Sequence, residues 1–168
     1  MRKVIVTDYQ YEWPGQFEKA AEEMERIFGE ECIGIHHIGS TSIEGMAAKP
    51  IIDLLAVVRE IERVEEFNEK MEELGYEAKG ENGLPGRRYF QRGGDQRTHH
   101  VHIYAQGSPE IERHLVFRNY LRENPQVAEE YGILKKKLAN DFPYDIEKYI
   151  AGKEELVTRI EKQAGGEI

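Results

Sequence analysis

Apolar residues first recur at helical intervals: Phe17, Ala20, Ala21, Met24, Ile27 and Phe28 follow Pro14, whose fixed φ suits a first helical turn. This spacing predicts a helix from about Pro14 to Phe28. The pattern then shortens to one run, Cys32-Ile33-Gly34-Ile35-His36-His37-Ile38, which predicts a strand stopping at Gly39. The hydroxyls of Ser40, Thr41 and Ser42 follow at once, placed to cap a short helix. Lys49-Pro50 breaks that helix, because the residue before proline is pushed into extended geometry. The stretch Ile51-Ile52-Asp53-Leu54-Leu55-Ala56-Val57-Val58 is apolar on both faces and predicts a strand at the centre of the sheet. Ile61, Val64, Phe67, Met71 and Leu74 then predict a helix closed by Gly75.

Tyr76-Glu77-Ala78, Arg88-Tyr89-Phe90-Gln91 and Thr98 to Tyr104 predict three more strands, the last two joined by a turn around Gly93-Gly94-Asp95. From Pro109 onward three helices are expected, marked by Ile111 with Leu115, by Val127, Tyr131, Leu134 and Leu138, and by Ile146, Tyr149, Ile150, Val157 and Ile160. The predicted class is α+β: a mixed β-sheet flanked by helices, with a helical C-terminal third packed on the same core. Nothing divides the chain, so residues 1–168 are expected to form one domain, and Gly165-Gly166-Glu167-Ile168 is expected to fray.

Composition narrows the function classes. The chain is 39% hydrophobic and 33% charged, a globular balance, and no run of about 18 apolar residues points to a membrane. The single cysteine, Cys32, can form neither an internal disulfide nor a cysteine-rich metal site, which suits a reducing compartment and makes the cytoplasm the expected location. A net charge of −9 repels a nucleic-acid backbone, so nucleic acid is not an expected partner. A phosphate-bearing small molecule needs only a local cationic group. Arg87, Arg88, Arg92 and Arg97 could form one, or could be solvated hairpin charge.

The candidate chemistry falls at three places. Gly39-Ser40 sits where a strand turns into a helix, and backbone N–H groups there can receive a phosphate, although the same pair also ends strands for conformational reasons alone. Asp53 is a carboxylate in an otherwise apolar strand, which calls for a cation, a donor or a metal. His100 and His102 share one face of their strand, with His99 on the other, so the pair could serve proton transfer or metal ligation, or be hydrogen-bonded within a polar face. Between His36 and His37, at most one can face the site and His37 has the parity of Gly39, but the first reading of either is a hydrogen-bonded structural histidine. Cys32 reads as core, and Tyr131, Tyr144 and Tyr149 read as helix packing.

The block His37-Ile38-Gly39-Ser40-Thr41-Ser42-Ile43 with Gly45-Met46-Ala47-Ala48-Lys49-Pro50-Ile51-Ile52-Asp53 resembles the signature of GrpB-like proteins, a branch of the nucleotidyltransferase superfamily. The resemblance continues through Tyr9, Trp13-Pro14, Arg97-Thr98-His99-His100-Val101-His102, Phe117-Arg118-Asn119-Tyr120-Leu121, Tyr144 and Lys148. It implies a nucleotidyltransferase-type sheet in which Gly39, Ser40 and Thr41 meet the phosphates of a nucleotide; Lys49, extended ahead of Pro50, could reach a phosphate or be a surface lysine, and Arg97 and Arg118 are expected as further phosphate contacts. It also implies a divalent metal, Mg or Mn first and Zn next, on Asp53, with His100 and His102 as ligands or catalytic groups. Active members of the superfamily carry a second carboxylate two residues after the first, and here that residue is Leu55. The expectation is therefore a nucleotide-binding protein with weak or lost transfer. The alternatives are a metal-dependent hydrolase using Asp53, His100 and His102, and a non-catalytic domain that senses a nucleotide or binds a protein.

Overall fold

The structure, a computed structural model, describes residues 3–165. The fraying expected at Gly166 to Ile168 lies outside the described residues. Helix α1 (Trp13–Phe28) leads into strand β1 (Cys32–Ile38), and a 3-10 turn over Ser40–Ser42 precedes β2 (Ile52–Val58). Next come a 3-10 segment over Ile61–Phe67, α2 (Asn68–Glu73), β3 (Tyr76–Ala78), β4 (Arg87–Arg92) and β5 (His99–Ala105). Helices α3 (Pro109–Glu123), α4 (Pro125–Asp141) and α5 (Ile146–Ala164) complete the chain.

The strand order is β1-β2-β5-β4-β3, with β2 and β5 parallel and every other pair antiparallel. The apolar run of β2 fits its interior place between β1 and β5, although β5 is the middle strand of the five. One long helix was expected over Ile61 to Leu74, and its first half is wound as 3-10 instead. Ile61, Val64 and Phe67 recur every three residues, the spacing that a 3-10 helix aligns on one side, and the α-helix begins only where the spacing lengthens to Met71.

Strand alternation sorts the sheet into two unlike faces. On one, Ile52, Leu54, Ala56, Val101 and Ile103 bury against Ala20, Met24 and Phe28 of α1 and Met71 of α2, forming the main core. The other carries Asp53 opposite His100 and Leu55 opposite His102 in the β2–β5 register. Ile38, Leu55 and Tyr104 on this face pack with Ile111 and Leu115 of α3. Among the described residues no helix is long and apolar enough to cross a membrane.

Helices α4 and α5 approach closely where Gly152 lies on Leu138: a Cβ at 152 would clash with Leu138 Cδ2. Gly152→Ala should improve helix propensity by about 0.5–1 kcal/mol. Overpacking Leu138 should cost about 1–3 kcal/mol, so a net loss of stability is expected in thermal denaturation. A variant that melts at or above the parent temperature would mean that the two helices have room to spare.

Candidate functional site

The site is built on a close approach of backbone and carboxylate. Gly39 has φ 73° and ψ −175°, and a Cβ there would fall 2.6 Å from Asp53 Oδ2. Both the backbone conformation and the contact require glycine. The other carboxylate oxygen, Asp53 Oδ1, lies 3.4 Å from His100 Nδ1 and 3.3 Å from His102 Nε2. Burial pushes this carboxyl up, but the hydrogen bonds and charge of the two imidazoles outweigh it and hold the group well below the usual carboxylate range. The remaining ring nitrogens, His100 Nε2 and His102 Nδ1, are buried without a hydrogen-bond partner.

His114 of α3 joins this array, its ring 5.9 Å from that of His102. Burial first, then Arg113 and His102, lower its pKa to about 4, so it stands neutral at physiological pH. Asp53, His100 and His102 offer one oxygen and two nitrogens, donors of the right chemistry for a divalent ion. Both imidazoles, however, turn onto the same oxygen, and no group of three or more His, Cys, Asp or Glu among the described residues is placed to hold a metal. As it stands, the cluster is a carboxylate oriented by two imidazoles rather than a closed ligand set.

Beside it lies a cavity of about 230 Å³ whose lining includes Gly39, Ser40, Asp53, Lys49, Lys135 and Lys153. Lys135, 2% exposed, donates a 2.6 Å hydrogen bond to Ser40 Oγ and lies 4.5 Å from the centroid of the Tyr131 ring. Burial, then the neighbouring Lys153 and Lys49, lower its pKa to about 6. Lys153 is lowered to about 8, again by burial and Lys49, with Asp53 opposing. A lysine depressed in this way binds fewer protons folded than unfolded, so Lys135 makes stability rise with pH from about 6 to the ordinary lysine value of 10.5. Below that window the fold bears the cost of a buried charge, which an anion in the cavity would offset.

The structure brings Gly39, Ser40, Thr41, Lys49, Asp53 and His100 to this one cavity, and His102 reaches it through Asp53. The Thr41 side chain belongs to the framework: its hydroxyl donates to the carbonyl of Ile51 and is hydrogen-bonded to His37 Nε2 at 2.9 Å. His37 does not face the site as its parity suggested. It stacks on Phe17 of α1, because the left-handed Gly39 interrupts the alternation on which parity depends. Arg97 donates to the carbonyl of Gly94 within the β4–β5 hairpin, away from the cavity. Arg118 is engaged with the carbonyl of His37 and the side chain of Asn119. One helical turn on, Arg122 donates to the carbonyl of Ser42, so the two guanidiniums tie α3 to β1 and to the end of the Gly39–Ser42 turn.

The four hairpin arginines form no common cationic group. Arg87 lies over Tyr89, Arg88 pairs with Glu65, and Arg92 lies over Tyr76 and contacts His99. Sequence reasoning missed His114, Lys135 and Lys153, and took Tyr131 and Tyr149 for packing alone. A signal for the lysines was present. Tyr131, Lys135 and Leu138 repeat in type and spacing as Tyr149, Lys153 and Leu156, which sets each lysine on the apolar stripe of its helix.

The mixed sheet carries a Gly-Ser turn that lies on an aspartate near the start of the next strand. The fold matches that of Cid1 in complex with the UTP analog UMPNPP at a TM-score of 0.52 and 15% identity, over 79% of this chain and 42% of that one. The chain belongs to the GrpB family: the GrpB protein model matches residues 3–163. It is 55% identical over 163 residues to the UPF0157 protein YqkA of Bacillus subtilis, covering 97% of this chain and 48% of YqkA, so it spans about half the length of that relative. The crystal structure of the conserved protein GrpB from Enterococcus faecalis matches with a TM-score of 0.92 and 52% identity, over 95% of this chain and 96% of that one.

The place expected of a second carboxylate is closed. Leu55 is 0% exposed and packed among Ile38, Tyr104, Ile111 and Leu115. Leu55→Asp should therefore unfold the domain rather than complete a ligand pair, losing about 3–5 kcal/mol in denaturant unfolding at neutral pH, as an uncompensated buried charge does. Parent-like stability in that variant would show that the position opens to solvent or to the site.

Proposed function

We propose that this protein binds a nucleoside triphosphate by its phosphates, where the Gly39-Ser40 turn meets Lys49, Lys135 and Lys153, and transfers nucleotidyl groups weakly or not at all. The observation that carries this reading is Lys135. It is a buried amine whose hydrogen bond goes to a neutral hydroxyl and whose ring contact is to Tyr131, and neither partner supplies the negative charge that would hold it protonated. An anion between Lys135 and Ser40 would do so, and the adjoining Gly39 turn suits a phosphate. A nucleotide is also what Cid1 holds in its complex with UMPNPP.

Asp53 is the carboxylate of the same cavity, and His100 and His102 fix its orientation. Mg, Mn or Zn would enter as the counter-ion of the nucleotide, held by substrate phosphates and this one carboxylate. In-line transfer between two metals needs a second acidic ligand, and the apolar packing of Leu55 favours binding over rapid transfer.

Thermal denaturation tests the reading. ATP with Mg at about 100 times its dissociation constant should add about 2.7 kcal/mol. For a chain of this size that is a rise in Tm of about 5–10 °C. Lys135→Met should melt higher than the parent when empty, because the cost of burying an amine is gone, and at the same ATP concentration should keep only about 0.4–1.4 kcal/mol of the ligand's stabilisation. A Lys135→Met protein that keeps the full ligand shift would refute the assignment. Robust, Asp53-dependent transfer from labelled nucleoside triphosphates would refute the claim of weak chemistry.

A further inference from the structure

The cavity is too small for the ligand just proposed to enter whole. A drug-sized ligand occupies a cleft of roughly 300–1,000 Å³. The space here is about 230 Å³. Its lining is also one-sided in its chemistry: three lysines face one carboxylate, in a protein whose net charge is −9. Tyr149, 0% exposed, adds a buried hydroxyl without a hydrogen-bond partner, a donor with nothing to donate to.

Little in this lining could read a base. Bases are recognised by stacking on aromatic faces and by hydrogen bonds along their edges, which commonly come from amide and acidic side chains. The lysines already lie over both tyrosine rings, Lys135 over Tyr131, and Lys49 and Lys153 over Tyr149 at 5.4 and 5.1 Å, which leaves Phe117 as the one other phenyl ring among the described residues of the lining. No Asn, Gln or Glu is among the described residues that line the cavity. Apart from Asp53 and His100, the polar groups present are lysine amines, hydroxyls and a glycine turn, which serve phosphate oxygens.

We infer that the site recognises the polyphosphate chain itself, whether inorganic triphosphate or the tail of any nucleoside triphosphate, without reading the base and without needing a divalent cation. Lys49, Lys135 and Lys153 supply the positive charge that metal ions on paired carboxylates supply in two-metal sites. The inference rests on the phosphate-binding reading above and adds to it what is recognised. Lys135 of α4, buried, and Lys153 of α5, half-buried, then meet phosphate charge in a site where the apolar Leu55 offers no second acid.

Isothermal titration in EDTA, with inorganic tripolyphosphate, ATP and adenosine, and again with excess Mg, separates the possibilities. Tripolyphosphate and ATP should bind in EDTA with dissociation constants within about tenfold of each other, and adenosine should give no binding heat. Lys135→Met and Lys153→Met, confirmed as folded by circular dichroism, should each weaken tripolyphosphate by roughly 10- to 100-fold, the worth of a charge-assisted hydrogen bond. Binding of ATP without tripolyphosphate, or of both only with Mg, would overturn the inference and leave nucleotide binding standing. Tripolyphosphate binding that both variants keep in full would place the anion elsewhere and overturn it too. If no nucleoside triphosphate binds with or without Mg, the proposed function itself fails.

Discussion

The contact of the Asp53 carboxylate with the backbone of Gly39 sets the position of everything else in the site. No side chain fits at residue 39, because its Cβ would lie 2.6 Å from Asp53 Oδ2, so the turn after β1 is drawn down onto the start of β2. The parallel register of β2 and β5 then places His100 opposite Asp53 and His102 two residues further along, where both reach the second carboxylate oxygen. Arg118 and Arg122 link α3 to the carbonyls of His37, in β1, and of Ser42, at the end of the turn. Ser40 is thereby fixed with its hydroxyl toward Lys135.

The C-terminal helices contribute the opposite kind of element, charge carried into a low-dielectric place. Lys135 is buried on α4 and Lys153 half-buried on α5, and the absence of a side chain at Gly152 allows those helices to pack tightly enough to share a cavity. Such burial destabilises an empty protein and is retained where an anion repays it, a common relation between stability and function. The carboxylate and the lysines are thus complementary: one is held charged by imidazoles, and the others are held partly neutral by burial and by one another.

Much of this was legible in the residues. The strand Cys32–Ile38 stood out because its apolar run is bounded by turn residues, and Asp53 because a carboxylate is conspicuous in an apolar strand. His100 and His102 followed from strand alternation, which holds where the strand is regular. His37 failed for the same reason in reverse, since the left-handed Gly39 ends the alternation beside it. Arg118 read as a free cation because a sequence does not display the backbone carbonyl that occupies it. Lys135 was hidden in a run of three lysines that resembles a solvated face, and only its place between Tyr131 and Leu138 marks it as inward. The lysine cavity belongs to tertiary packing, assembled from the Gly39–Thr41 turn, β2, β5, α3, α4 and α5 by contacts far apart in sequence.

The most direct measurement is a crystal structure of the protein with a non-hydrolysable nucleoside triphosphate and Mn, whose anomalous signal locates any metal. The expected result is a phosphate group inserted between Ser40 Oγ and Lys135 Nζ, replacing their 2.6 Å hydrogen bond, with Lys49 and Lys153 on the same phosphate chain and any Mn on the Asp53 side of it. A nucleotide seated elsewhere, for instance in the larger groove bounded by Tyr9, Glu44 and Arg122, with the Ser40–Lys135 bond intact, would contradict the account.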